Sequence, residues 1–366
     1  MIYLDHGATS FPKLPSVVAA VNRALRTCAN PGRGGHEPAM EAARTVFACR
    51  ERAGELFDCE AEQVVFTASC THGLNIAIRT LVKPGDPVVI SGFEHNAVTR
   101  PLHGLGAKIQ VAGRRLFDPE DTVASFEKAL QKGVKAAVFT HVSNVFGYIL
   151  PIEALSDLCK KYAVPFVIDA AQSAGSLPVQ MGKLGADYIA MPGHKGLLGP
   201  QGTGILLCSR QPEPLLFGGT GSHSARWDMP DWLPDRLEAG TVNVPGIAGL
   251  ERGLSLVQQG MEQRHSAALR QSVRCAAQME KLGCRVFTGD AQSSVFSCVP
   301  PMDCEVFAQK LGQLGIGVRA GLHCAPLAHE SAGTLDTGTV RISFGYDASP
   351  KQTQGLLQGV KTLLKR

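Results

Sequence analysis

The chain has 366 residues, of which 44% are hydrophobic and 19% charged, and its formal net charge is +4 at pH 7. A chain of this size buries a sizeable core and forms two domains, or one large domain with a smaller one attached. Because it has no block of like charges, no apolar stretch of about 18 residues and no basic leader before an apolar run, we expect no nucleic-acid partner, no membrane span and no signal peptide.

The first part of the chain alternates between helical and strand patterns. Apolar residues at helical spacing occupy 17–28 and 41–57, after an extended start in which 3–5 favours a short strand. Helical patterns also occupy 73–81, 122–131 and 152–162. Seven apolar runs are typical of buried strands, at 64–67, 87–91, 108–111, 136–141, 165–169, 188–191 and 204–208. Such alternation predicts an α/β fold with a mostly parallel sheet covered on both faces.

The pattern changes after the last of these strands. The segment 217–245 is rich in turn residues, and a long helical pattern follows at 249–282. Beyond it, strands are predicted at 293–300, 317–319 and 340–344, and helices at 305–314 and 350–364. We therefore predict a large α/β domain over 16–250 and a small α+β domain formed by 1–15 and 251–366.

The eleven cysteines are scattered along the chain. They form no C-x-x-C pair and no His/Cys cluster at zinc-ligand spacing, so the sequence predicts no metal site. Most are expected to be small buried residues in a reducing compartment, which favours a cytoplasmic protein.

Polar side chains collect where the predicted strands end. In a parallel sheet the ligand site lies beyond the carboxyl ends of the strands, so these side chains predict an enzyme site. The residues concerned are Ser69, Cys70, Thr71, His95, Asn144, Asp169, Gln172, His194 and Lys195.

Lys195 lies between two apolar runs, 188–191 and 204–208. Desolvation there would lower the pKa of its amine, which could then react with a carbonyl group. Pyridoxal phosphate needs such a lysine, a carboxylate for its ring nitrogen, here Asp169, and a phosphate cradle, here the helix start at 69–71. His95 could stack on the ring. Each of these residues, taken alone, also has an ordinary structural interpretation: a solvated lysine, a salt-bridged aspartate, a helix cap, or a histidine with its hydrogen bonds satisfied inside the protein. Together they favour a cofactor site.

Seven motifs in order carry a resemblance to a known family. The motifs are NPGRGGH (30–36), EHNAVTRP (94–101), SNVFG (143–147), DAAQSAG (169–175), GHKGLLGPQGTG (193–204), EAGTVN (238–243) and RAGLHCAP (319–326). With them, the chain resembles the class V, fold-type I pyridoxal-phosphate enzymes, and among these the cysteine desulfurases with the short RxGxHC loop. The likeness runs from YLDHGATSFPK to VRISFGYDAS. It implies a seven-stranded, mostly parallel sheet between helices and a smaller α+β domain.

The resemblance also implies how pyridoxal phosphate is bound. Lys195 would bind it covalently and move protons, Asp169 would pair with the pyridinium nitrogen, and His95 would stack over the ring. Thr241 would reach the phosphate in the neighbouring subunit of a homodimer whose active sites lie at the interface. The other cofactor-binding residues are Cys70 and Thr71 at the helix start, His194 at the phosphate, Gln172 near the phenolic oxygen and Asn144 near that oxygen or the substrate.

The same resemblance assigns the substrate side of the site. Arg341 and Arg319 would bind the substrate carboxylate, which a guanidinium fork suits better than a lysine does. Cys324 would be the catalytic thiolate that takes sulfur from L-cysteine, leaving a persulfide and releasing alanine. Arg319 and His323 beside it would lower its pKa, and Gly321 favours an exposed loop. The alternative for Cys324 is a small buried residue.

The implied function is a cysteine desulfurase that passes sulfur to an acceptor, such as a partner protein. Alternatives on the same cofactor are a selenocysteine lyase, a cysteine sulfinate desulfinase or another class V aminotransferase. A non-catalytic pyridoxal-binding protein is a further alternative. Two departures from the family motivate these alternatives: Pro192 stands where a serine or threonine commonly binds the phosphate, and Asp5-His6-Gly7 replaces Asp-Asn-Ala. The pathway stays open between iron–sulfur assembly, thiolated tRNA and selenium use.

Overall fold

The computed structural model describes residues 1–32 and 34–364, so that Arg33 of the NPGRGGH motif lies outside the described residues. The strands are β1 Ile2–Tyr3, β2 Val64–Thr67, β3 Pro87–Ser91, β4 Lys108–Ala112, β5 Ala136–Thr140, β6 Phe166–Asp169, β7 Tyr188–Pro192, β8 Gly204–Cys208, β9 Arg285–Phe287, β10 Val295–Val299, β11 Ile316–Gly317, β12 Arg319–Gly321 and β13 Thr339–Ser343.

The helices alternate with the strands through the first half of the chain. They are α1 Pro15–Thr27, α2 Glu37–Phe57, α3 Cys70–Leu81, α4 Asn96–Gly104, α5 Pro119–Gln131, α6 Ile152–Lys161, α7 Met181–Leu184, α8 Val244–Lys281, α9 Cys304–Gln313, α10 Pro326–Ala332 and α11 Pro350–Leu364. In the part of the chain that the structure describes, no helix is both long and apolar enough to cross a membrane.

The central sheet has seven strands in the order β2-β8-β7-β6-β5-β3-β4. The five strands from β7 to β4 are mutually parallel, and β8 runs antiparallel to both of its neighbours. Every residue of β5, β6 and β7 is buried, because helices cover both faces of the sheet. These features confirm the predicted α/β fold.

A second, smaller sheet lies beyond α8. Its four strands, in the order β12-β13-β10-β9, are antiparallel and share a core with β1, α9, α11 and the end of α8. The start of the chain belongs to this core, because β1 pairs in parallel with β11. This arrangement is consistent with the predicted small α+β domain, and the division at residue 250, which falls inside α8, stays a prediction.

Element boundaries differ from the predictions by a few residues in most cases. Helix α3 begins at Cys70 rather than at residue 73, because the Ser69 hydroxyl caps it and accepts the His72 N–H at 3.2 Å. The prediction of a single strand at 317–319 is wrong. This segment forms parts of two strands, β11 and β12, which pair with different strands, β1 and β13.

A buried ion pair between Arg50 and Glu238 connects α2 with the central sheet. Arg50 of α2 contacts the Glu238 carboxylate and also donates to the carbonyl of Val64, and each side chain of the pair is only 8% exposed. The second carboxylate oxygen of Glu238 accepts the N–H of Phe66 at 2.7 Å. The pair thereby joins α2, the edge strand β2 and the segment before α8.

We expect Arg50→Met to destabilise the protein by about 3–5 kcal/mol, because it leaves the Glu238 carboxylate buried without its cation. Urea unfolding followed by circular dichroism at pH 7 measures the change. The matched control is Arg44→Met in the same helix, whose pairs with Glu37 and Glu41 are exposed and contribute little. Equal unfolding midpoints for the two variants would contradict this role of the buried pair.

Candidate active site

A cleft of about 640 Å³ lies where the parallel strands β3, β5, β6 and β7 end. Polar residues that follow different strands meet here, because the carboxyl ends of parallel strands share one edge of the sheet. All nine of the strand-end residues singled out in the sequence line the cleft: Ser69, Cys70, Thr71, His95, Asn144, Asp169, Gln172, His194 and Lys195.

Asp169 ends β6 and is 3% exposed. Its Oδ1 accepts the N–H of Ala171 at 2.9 Å and the thiol of Cys70 at 3.5 Å. Burial raises the pKa of Asp169, whereas the Ala171 N–H and the charge of Lys195 oppose that rise. A buried carboxylate held in this way favours a ligand that presents a cationic N–H group to it.

Lys195 follows β7 and reaches the same cleft. Burial lowers its pKa, the charge of Arg341 lowers it further, and the carboxylate of Asp169 acts in the opposite direction. A lowered pKa raises the neutral fraction of the amine, and the neutral amine is the form that attacks a carbonyl carbon.

His95 caps helix α4, because its Nδ1 accepts the N–H of Ala97 at 3.0 Å. Burial, followed by the charge of Lys195, lowers the pKa of His95 to about 4. The ring is therefore neutral at pH 7, and since Nδ1 is an acceptor, the proton lies on Nε2. A neutral ring of this kind can stack on a planar ligand and donate from Nε2.

Arg341 and Arg319 come from the small sheet. They are register partners on β13 and β12, so both side chains lie on the same face. Arg341 is 2% exposed, its Nη2 lies 2.6 Å from Asp5 Oδ1, and its Nη1 donates to the carbonyl of Asn144 at 3.1 Å. The Asp5 carboxylate offsets part of the repulsion between these two like charges, and the exposed Arg319 can attract a further anion such as a carboxylate.

Asn144 and Gln172 connect the cleft to neighbouring segments. Asn144 Nδ2 donates to the carbonyl of His323 at 2.8 Å, and Gln172 Nε2 donates to the carbonyl of Gly7 at 2.9 Å. Asn144 Oδ1 is buried and has no hydrogen-bond partner among the residues that the structure describes. A ligand with a hydroxyl or N–H group would satisfy this oxygen.

Cys324 is exposed, on a loop beside the cleft rather than in its wall. The loop backbone is left-handed at His323 (φ 53°) and Cys324 (φ 57°), which is unfavourable for residues other than glycine. The carbonyl of Cys324 accepts the N–H of Asn96 at 2.8 Å, which holds the loop next to His95. The sequence-based expectation of an exposed loop at Cys324 is therefore confirmed.

Of the two residues expected to lower the pKa of Cys324, His323 is buried and carries no charge. The His323 ring is 5% exposed, stacks on His329 with 5.8 Å between ring centroids, and has its Nε2 3.2 Å from the carbonyl oxygen of Arg319. Burial lowers the pKa of His323 to about 2, so the ring is neutral. Arg319, which is exposed, supplies the positive charge in this segment.

Thr241 lies away from the cleft of its own chain. It is exposed in a separate groove, of about 1250 Å³, that also contains Asn30, Gly219 and Glu238. A residue that binds the phosphate of a neighbouring subunit would have to lie outside its own cleft, so this position is compatible with the predicted role, which stays a prediction.

Several contacts of the site were not predicted from the sequence. Asp5 pairs with Arg341, Thr140 contributes to the wall of the cleft, and Lys13 donates to the carbonyl of His194 at 2.9 Å. No local pattern signals them, because each depends on how distant segments pack.

Comparisons with known proteins agree with this geometry. The sequence profile of the family Aminotransferase class-V matches residues 2–356. A protein of Pyrococcus abyssi named "Probable cysteine desulfurase" is 30% identical, and the match covers 100% of this chain and 94% of that protein. A protein of the same name from Methanothermobacter thermautotrophicus is 29% identical over 96% of this chain and 92% of its own length.

Two solved structures are similar over the whole of this chain. The cysteine desulfurase of Thermococcus onnurineus has a TM-score of 0.91 and 30% identity, with 94% of that chain covered. The cysteine desulfurase CsdA of Escherichia coli has a TM-score of 0.89 and 25% identity, also with 94% covered.

The buried histidines predict that the fold loses stability in acid. Burial lowers the pKa of His95, His141, His194 and His329 to about 4, below the ordinary value of about 6.5. Between about pH 6.5 and 4 the unfolded chain therefore binds protons that the folded chain does not, and stability falls as the pH falls through this range.

We expect the urea midpoint to be lower at pH 5 than at pH 7, and His141→Gln to reduce this difference. One such histidine contributes a slope of up to about 1.4 kcal/mol per pH unit. His141 is suited to the test because its ring is buried and its Nδ1 has no partner among the described residues. The same pH dependence in the variant and the parent protein would show that His141 does not contribute.

Proposed function

The chain belongs to the class-V aminotransferase family, and on that premise we propose that it is a pyridoxal-phosphate-dependent cysteine desulfurase. It converts L-cysteine to L-alanine and transfers the sulfur to the thiol of Cys324. One observation carries the proposal: an exposed Cys324 is held beside His95, at a cleft that contains Lys195 and Asp169.

The cleft fits pyridoxal phosphate, on which this family depends. Lys195, with its lowered pKa, offers an amine to the aldehyde, and the buried Asp169 offers a carboxylate to the ring nitrogen. The unsatisfied Asn144 Oδ1 offers an acceptor to a hydroxyl group. The first turn of α3, which lines the cleft at Cys70 and Thr71, offers backbone N–H groups to the phosphate.

The phosphate side of the cleft differs from the common family pattern at Pro192. This residue ends β7, where it pairs with Gly204, and it offers neither a hydroxyl nor an N–H group. Binding of the phosphate therefore relies on Thr71 and His194, with Thr241 contributed by the second subunit of a homodimer. The exposed position of Thr241, outside its own cleft, supports this arrangement.

When bound, pyridoxal phosphate supplies an electron sink for the reacting carbon atoms of the substrate. Asp169 would keep the ring nitrogen protonated, and Lys195 Nζ would accept and return a proton of the substrate. Arg341 and Arg319 would orient the substrate carboxylate, with the substrate sulfur toward the loop of Cys324. His95, neutral and protonated on Nε2, would cover the ring and exclude water from it.

Cys324 performs the sulfur transfer. Its Sγ forms an S–S bond with the sulfur of L-cysteine as the C–S bond of the substrate breaks, and the carbon takes up a proton. L-cysteine and the thiol thus give L-alanine and a persulfide, so the balance needs no external oxidant. An acceptor thiol, on a partner protein or a small reductant, then takes the terminal sulfur. The exposure of Cys324 supports access by such an acceptor.

We expect the protein, supplied with pyridoxal phosphate and dithiothreitol, to release alanine and sulfide in equal amounts from L-cysteine. Cys324→Ser should lower this turnover by at least about 100-fold, because the sulfur has lost its acceptor, while the cofactor absorbance is retained. Cys28→Ser, at a half-buried cysteine outside the cleft, is the matched control and should leave both unchanged.

The outcomes separate the proposal from its alternatives. If Cys324→Ser retains selenocysteine or cysteine sulfinate cleavage and loses cysteine turnover, the thiol serves the desulfurase reaction alone. Unchanged cysteine turnover in Cys324→Ser would refute the persulfide. Cofactor absorbance in the parent protein without alanine release would refute the desulfurase activity and leave a pyridoxal-binding protein or another reaction of the family.

A further inference from the structure

Residues 5–13, which we call the N-terminal strap, cross from the small sheet to the candidate cleft. The strap begins beside β13, where Asp5 forms a bridge with Ser343. It ends at the segment that carries Lys195. Its contacts with the site are those of Asp5 with Arg341, Gly7 with Gln172, and Thr9, Ser10 and Lys13 with the carbonyl of His194.

Four donors of the strap converge on the carbonyl oxygen of His194. The N–H and the Oγ of Ser10 each lie 3.0 Å from it, Thr9 Oγ1 lies at 3.1 Å, and Lys13 Nζ at 2.9 Å. A carbonyl oxygen has two lone pairs, so the neutral donors of Thr9 and Ser10 already suffice to satisfy it. The carbonyl therefore does not need Lys13 as a hydrogen-bond donor, and the Lys13 ammonium adds a stronger, charge-assisted hydrogen bond.

Holding the Lys13 ammonium at this position costs free energy. The side chain is half-buried, and burial lowers its pKa to about 8. Its hydrogen bonds go to Ser10 Oγ at 2.8 Å and to the His194 carbonyl, and across residues 1–32 and 34–364 no carboxylate forms an ion pair with it. A partly desolvated cation without a counter-ion is unfavourable by itself. The stability of the strap therefore does not explain why the Lys13 ammonium lies at this position.

We propose that Lys13 is a positioning residue for Lys195. The carbonyl of His194 belongs to the planar peptide group that ends at the Cα of Lys195, so holding that oxygen fixes the plane from which the Lys195 side chain starts. The His194 ring is held by the same strap, because its Nδ1 lies 3.0 Å from Thr9 Oγ1. Lys13, as the one charged donor of the four, thus strengthens the hold on this plane and on the direction in which the Lys195 side chain enters the cleft.

This role predicts a kinetic effect on the amine of Lys195. An error of about 1 Å in the position of a reacting group costs on the order of 100-fold in rate. The inference rests on the proposed cofactor, to which Lys195 binds, but not on the identity of the amino-acid substrate.

The test uses the full chain freed of cofactor and then mixed with pyridoxal phosphate. We expect Lys13→Met, which keeps an unbranched apolar stem and removes the ammonium, to slow covalent binding at Lys195 by about 10- to 100-fold. The rate is followed by absorbance, and borohydride reduction with peptide mass analysis shows that Lys195 is the residue modified. Lys13→Arg should restore most of the rate, because it returns a cationic donor. Lys161→Met, at an exposed lysine paired with Glu127, is the matched control and should bind at the parent rate.

Thermal unfolding of the same cofactor-free variants separates positioning from general stabilisation. A positioning role leaves the midpoint of Lys13→Met within about 2 °C of the parent while binding slows. If the midpoint also falls, Thr9→Val decides: it removes a neutral donor to the same carbonyl and leaves both hydrogen bonds of Lys13 in place, so slower binding in Lys13→Met alone supports the proposal. Equal slowing in both variants, or an unchanged binding rate in Lys13→Met, overturns it. Because binding at Lys195 needs no L-cysteine, failure of the desulfurase proposal would leave this test intact.

Discussion

The opposite effects of burial on Lys195 and Asp169 are the constraint around which the site is built. Burial by itself lowers the pKa of the amine and raises that of the carboxyl group, and the charge of each residue opposes the shift of the other. The two residues lie at or just after the ends of β6 and β7, which are adjacent parallel strands. A parallel sheet buried on both faces therefore supplies the desolvation, and the shared strand ends supply the proximity.

The other half of the site comes from the small sheet. Arg319, Arg341 and the loop of Cys324 lie on or beside β12 and β13, and they meet the cleft through Asn144 and the N–H of Asn96. The strand ends of the central sheet thus provide the groups that suit the cofactor, and the small sheet and the loop beside it provide two arginines on one face and an exposed thiol. The hydrogen bonds from Asn96 and Asn144 hold the left-handed backbone at His323 and Cys324.

The histidines at and beside the cleft are neutral, and its positive charge comes from arginines. Burial keeps the rings of His95, His194 and His323 uncharged, so they serve as caps, acceptors and packing surfaces. The positive field comes instead from Arg341 and Arg319, and it acts on Lys195 by lowering its pKa further. A site of this kind attracts a carboxylate and keeps its amine reactive at the same time.

The sequence by itself determined the α/β class, most strands of the central sheet and the cleft residues Lys195, Asp169 and His95. It could do so because apolar runs are local, and because the carboxyl ends of parallel strands must share one edge. Only the tertiary structure decided that Lys13 reaches the His194 carbonyl, 181 residues away, and that Asp5 pairs with Arg341, 336 residues away. It also decided that His323 is neutral, since the desolvation that shifts a pKa depends on what packs around a group, and neighbours in the chain do not contain that information.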